Sequence, residues 1–144
     1  MDTAKISGKG ISQEFRAELK NRVENDPVFR NRLPKLAAVL VGAYPPSKIY
    51  VSAKEKACKE TGIASELHHL PEATSQEQLH LCLHKLNSDP TVDGILLQLP
   101  LPSHLDENLA ILNIHPDKDV DGLHPTSLGK LVSGQPGFRP CTPS

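Results

Sequence analysis

The chain of 144 residues lacks a dinucleotide-binding fingerprint: its nine glycines, at 8, 10, 42, 62, 94, 122, 129, 134 and 137, nowhere form G-x-G-x-x-G behind a strand. It also lacks an excess of charge of either sign. A formal net charge of −1 is neither the basic footprint of a nucleic-acid binder nor a polybasic membrane patch, so neither partner is expected. No stretch approaches the ~20 apolar residues of a membrane span. The opening Met-Asp-Thr-Ala-Lys leads into a polar amphipathic segment rather than a secretion signal. Cysteine is scarce: Cys58, Cys82 and Cys141 are odd in number and far apart, which suits a reducing compartment better than a disulfide framework. Cytoplasm is the expected location. No internal repeat or low-complexity segment is present.

What is there is an alternation of strand and helix signals. At this length one domain is expected over residues 1–144, able to bury roughly 70% of its unfolded surface. Ile11, Phe15, Leu19 and Val23 recur every four residues and predict an amphipathic helix covering one face of a sheet. Leu36 to Val41 is a nearly unbroken apolar run closed by Gly42, Pro45 and Pro46, the pattern of a parallel strand covered on both sides. Ser47 is placed to cap a helix that runs to about Thr61, where Gly62 supplies a stop. Ala64 to Leu70 predicts a weaker strand, Ser75 to Leu86 a helix with Leu79, Leu83 and Leu86 on one stripe, and Gly94 to Leu99 a third strand. Leu105 to Leu112 reads as a short helix, and Asp117 to Gly129 as a polar loop before a helical turn near Leu128. This order predicts a three-layer, doubly wound α/β fold with a mostly parallel sheet, Rossmann-like but without the dinucleotide fingerprint. Thr142-Pro143 has the form of a cap followed by a first-turn proline, so a further helix and a longer protein are expected.

Tyr50 and Lys54 stand four apart on one face of a predicted helix, at the carboxyl end of a strand, where open α/β sheets bind small molecules. A flat ring there can stack on an aromatic ligand, and a partly desolvated lysine can carry a proton. Alone, the pair reads equally as a half-buried aromatic with a snorkelling lysine. Gln98 interrupts an apolar strand, and a buried amide must find hydrogen-bond partners; otherwise it is a strand-end side chain wetted by solvent. Pro100 and Pro102 end that strand and present carbonyls without amide hydrogens of their own, suited to a ligand's amino groups. Asp121, with Asp119 close by, is either a ligand carboxylate or an ordinary loop cap.

These residues lie in blocks. Val-Gly-x-x-Pro-x-Ser-x-x-Tyr-Val-x-x-Lys runs from Val41 to Lys54, with Lys56, Ala57 and Gly62-Ile63 behind it. Asp93-Gly-Ile-Leu-Leu-Gln-Leu-Pro-Leu-Pro102, Lys118-Asp-Val-Asp-Gly122 and Pro140-Cys-Thr-Pro143 follow in order. With them the chain resembles the bifunctional methylenetetrahydrofolate dehydrogenase/methenyltetrahydrofolate cyclohydrolase family, over essentially all of that family's first domain. The resemblance implies a site for tetrahydrofolate derivatives between two domains, with NADP or NAD held by a C-terminal domain beyond these residues, and a homodimer formed largely through that domain. It implies oxidation of 5,10-methylenetetrahydrofolate and hydration of the methenyl product, a step in one-carbon metabolism and purine biosynthesis. Carried over residue by residue, Lys54 is the catalytic lysine, Gln98 bonds to it and tunes it, and Tyr50 stacks on the aminobenzoate ring. Asp121 accepts from the pterin, helped by backbone around Leu99, Pro100 and Leu101, and Ser47 is a further substrate-binding residue. Two positions depart from the family pattern: Ala43, often acidic, and Ser127, commonly Asn.

Hydration removes a proton from water and delivers one to nitrogen, and one amine can serve both steps. Other readings stay open on the residues. Tyr-x-x-x-Lys also occurs in short-chain dehydrogenases, although no glycine loop precedes Tyr50. His80 and His84, four apart on a helix, with His68-His69 before them, suggest a metal-binding module but lack supporting ligand spacing. The chain by itself can also be a folate-binding module without turnover.

Overall fold

The computed structural model describes residues 7–140. The expectations on Cys141 and on Thr142-Pro143 lie outside the described residues. Three strands form an all-parallel sheet in the order β2-β1-β3, with β1 (Lys35–Val41) between β2 (Ala64–Leu70) and β3 (Gly94–Leu97). Val39, at the middle of the sheet, pairs with His68 on one side and Leu97 on the other. Burial follows position. The last five residues of β1 and all of β3 are buried, as in strands covered on both faces. In β2, at the edge, half-buried and exposed residues alternate.

Two helical layers enclose the sheet. On one side Ala37, Val39 and Val41 pack with Leu79, Leu83 and Leu86 of α3 (Gln76–Ser88). A capping box between Ser75 and Gln78 starts that helix. Beside it lies α4 (Glu107–Leu112), capped by Asp106, whose carboxylate accepts from the Leu109 amide. On the other side α2 (Pro45–Thr61) crosses β1 and β2 and buries Val51 and Cys58. A last helix, α5 (Pro125–Val132), follows the Asp119–Leu123 loop. This is the expected doubly wound α/β fold. Among the described residues no helix is long and apolar enough to cross a membrane.

Four details differ from expectation. The first helix, α1 (Gly8–Asn25), forms with Ser7 as its cap but packs on α2 rather than on the sheet. Its Phe15 is 67% exposed and only Val23 is buried, because α2 already occupies that face of the sheet. Ser47 is not a cap: α2 begins at Pro45, since prolines fit a first turn whose amides have no intrahelical acceptor. The third strand stops at Leu97 rather than Leu99. The Gln98 amide still donates to the Val39 carbonyl at 2.9 Å, but β1 ends at Val41 and Gly42 turns away at φ +77°, so Leu99 has no strand beside it. Finally, the helix near Leu128 is longer than one turn, capped at its start by the His124 side chain, which accepts from the Thr126 amide.

Candidate functional site

Strand order 2-1-3 places a topological switch point between β1 and β3: the chain leaves β1 toward β2 and later returns on the opposite side. Crevices open at such points beyond the carboxyl ends of the strands. Three groups that are distant in sequence meet at this one. The half-buried Lys54, on α2 after β1, donates from Nζ to Oε1 of Gln98, immediately after β3, at 3.3 Å. Gln98 in turn donates from Nε2 to the Leu99 carbonyl at 2.7 Å, which fixes the amide with its oxygen toward the lysine. So Gln98 is a satisfied, half-buried strand-end amide and not part of a doubly covered strand.

Asp121 completes the group. Burial pushes its carboxyl above the ordinary value of 3.8, the Lys54 ammonium pulls it part of the way back, and the neighbouring Asp119 adds to the rise. Lys54 and Asp121 are therefore within electrostatic reach of each other. Below them Leu97, Leu99, Asp119, Asp121 and Leu123 line a small crevice at the end of β3. Tyr50 sits one turn before Lys54 and is 62% exposed, its ring available to a flat ligand. Ser47 is buried within the first turn of α2. Leu101 is buried, whereas Pro100 is exposed and joined to Leu99 by a cis peptide bond.

Two residues that organise this site went unassigned in the sequence. Asp119 is 2% exposed and accepts from the Leu123 and His124 amides and from Ser127 Oγ at 2.8 Å. It ties the loop bearing Asp121 to the start of α5, so Ser127 is a member of that network. The signal was its place two residues before Asp121 and just upstream of a His-Pro helix start. Glu107 accepts the Leu101 amide at 2.8 Å. Its signal was the pair of prolines around Leu101, which leaves a single donor in need of an acceptor.

The histidines do not converge. His68 meets Glu66, His69 meets the Gly42 carbonyl, and His80 meets Gln76 and Asn113. No group of three or more metal-ligating side chains occurs among the described residues. Burial pushes the Cys58 and Cys82 thiols up, away from the thiolate form. The β1–α2 turn lacks the row of backbone donors found in a pyrophosphate cradle. The helix there starts with Pro45 and Pro46, which lack the amide hydrogens that cradle a pyrophosphate.

Fold and site together define a doubly wound α/β domain whose switch-point cleft joins a lysine, an amide and a carboxylate. Its amino-acid sequence matches the model of the tetrahydrofolate dehydrogenase/cyclohydrolase catalytic domain over residues 6–121, and the chain belongs to that family. It is 50% identical over 139 residues to the bifunctional protein FolD of Aquifex aeolicus, a match covering 96% of this chain and 48% of that protein. The crystal structure of the bifunctional FolD enzyme from Campylobacter jejuni superposes with a TM-score of 0.89 at 42% identity, over 93% of this chain and 48% of that one. The Trypanosoma brucei dehydrogenase-cyclohydrolase, solved with NADP cofactor and an inhibitor, gives 0.90 at 30% identity, over 98% and 49%. The chain thus spans about half the length of the curated relatives it matches. Membership sets aside the short-chain dehydrogenase reading of Tyr50 and Lys54.

Proposed function

We propose that the chain is the folate-binding catalytic domain of a bifunctional enzyme of one-carbon metabolism. The enzyme oxidises 5,10-methylenetetrahydrofolate to the 5,10-methenyl cation and hydrolyses that to 10-formyltetrahydrofolate, which feeds purine biosynthesis. The observation that carries this reading is the Lys54–Gln98 contact at the β1/β3 switch point, with Asp121 in reach of the same amine. In hydration, water adds to the methenyl carbon and loses a proton, a proton goes to the ring nitrogen, and the carbon–nitrogen bond to it breaks. Lys54 is positioned as the group that takes and returns that proton. Gln98 holds the amine in place, Tyr50 stacks on the aminobenzoate ring, and Asp121 with the Leu99 and Leu101 carbonyls accepts from the pterin.

The nicotinamide cofactor, NADP or NAD, belongs in this reading to a second domain of a longer protein, which the prolines opening α2 at the β1–α2 turn support. No part of hydride transfer is assigned to residues 7–140. A cytoplasmic homodimer formed through that second domain completes the proposal. The large exposure of Tyr50 favours a companion reading for the chain by itself: one wall of its cleft is open, and it binds folate without turnover. Assays of both activities on the 144-residue chain and on the complete protein test the two together. Cyclohydrolase and dehydrogenase activity in the complete protein supports the enzyme reading, and absence of both there overturns it.

A further inference from the structure

The segment Leu99-Pro100-Leu101-Pro102 leads from the end of β3, where Leu99 lines the crevice, toward α4. Prolines carry no amide hydrogen, so from Pro100 to Pro102 the Leu101 N–H is the one backbone donor. Glu107 removes it from use, accepting it on Oε1 at 2.8 Å. What that stretch then offers a ligand is carbonyl oxygen alone, and the Asp121 carboxyl, which lines the same crevice as Leu99, adds further acceptors.

Glu107 is not needed to cap its own helix, which Asp106 already does. Its side chain instead turns back six residues along the chain. The other ties of this region are the Leu105 amide, which donates to the Pro102 carbonyl at 2.9 Å, Gln76, which holds Asp106 through both backbone groups, and His104, which meets the Thr74 carbonyl. Gln98 holds Leu99 from the other end. Between them, Glu107 fixes Leu101.

We infer that Glu107 is a positioning residue that sets the ligand polarity of the cleft. By occupying the Leu101 amide and fixing its backbone it makes this wall acceptor-only, and so selects a heterocycle edge rich in N–H donors, such as a 2-amino-4-oxopyrimidine. It acts through Leu101 without touching the ligand. The inference rests on the folate reading and deepens it by assigning the discrimination to one carboxylate.

The test uses the complete protein with Glu107→Met, which keeps side-chain bulk without an accepting oxygen, and Glu107→Asp, whose carboxylate falls one methylene short. Glu107→Gln keeps an accepting oxygen and drops the charge. Dissociation constants are measured for tetrahydrofolate and for its 2-desamino-2-methyl analogue, with amide exchange at Leu101 as a local readout. The unaltered protein favours the amino compound; the Met and Asp variants lose about tenfold of that preference, the size of one hydrogen bond, and exchange the Leu101 amide faster. Glu107→Gln keeps the preference to within about twofold. Equal weakening of both ligands, with the preference intact, overturns the inference and leaves the folate reading standing. Failure of the unaltered protein to bind tetrahydrofolate overturns both.

Discussion

Lys54 Nζ and Gln98 Oε1 lie 3.3 Å apart, joining the helix after β1 to the end of β3 across the switch point of the sheet. Because Gln98 is itself pinned to the Leu99 carbonyl, the amide orients the amine and does more than neighbour it. Gln98→Met preserves volume and breaks both bonds. It is expected to lower the cyclohydrolase rate by about 100-fold, the cost of a reacting group misplaced by roughly an ångström, with little change in folate affinity. Single-turnover hydration of methenyltetrahydrofolate, beside equilibrium binding, checks this.

Lys54→Met in the complete protein removes the proton carrier and keeps the side-chain length. Hydration is expected to vanish while tetrahydrofolate still binds within about threefold, since the ring and pterin contacts remain. Full turnover in this variant would strip Lys54 of its assigned part.

Asp121 is a site residue held at the expense of stability. Its folded carboxyl keeps its proton to a higher pH than the ordinary 3.8, chiefly because of burial. The stabilisation tied to that proton is therefore complete below the unfolded value and is lost as pH rises through the folded one. Asp121→Asn removes the loss. Its unfolding temperature is expected above that of the unaltered protein at pH 7, with the gap closing as pH falls toward 3.8. Folate affinity should fall about tenfold or more, because the amide offers a donor where the pterin needs an acceptor. Melting curves at three pH values and a binding titration decide it.

Asp119 is buried too, and its carboxyl oxygens accept from three donors. Asp119→Ala leaves the Leu123 and His124 amides and the Ser127 hydroxyl without their acceptor. Destabilisation by roughly 3 kcal/mol is expected, as is weaker folate binding through the displaced Asp121 loop. Ser127→Ala, which removes one of those bonds, should cost about 1 kcal/mol. Denaturant titration of both variants supplies the comparison.

The sheet was legible because parallel strands covered on both faces leave runs such as Leu36 to Val41, and because the α3 stripe of Leu79, Leu83 and Leu86 keeps helical spacing. Helix starts were less legible. Ser47 has the right chemistry for a cap, but the double proline before it sets the start of α2 by geometry alone. The stripe of α1 correctly announced a helix and not its neighbour, since periodicity reports an apolar face without saying what covers it. At the site, spacing within α2 brought out Tyr50 and Lys54, whereas Asp119 and Glu107 act through backbone amides brought near by the fold. Such partners leave no periodic trace.

A crystal structure of the protein with a 5,10-bridged tetrahydrofolate analogue shows whether Lys54 meets the reacting carbon. The pterin is expected against Asp121 and the Leu99–Leu101 carbonyls, the aminobenzoate over Tyr50, and the bridging carbon within about 3.5 Å of the Lys54 amine or one water away from it. An analogue bound with its bridge facing away from Lys54, or outside the β1/β3 cleft altogether, would contradict this placement.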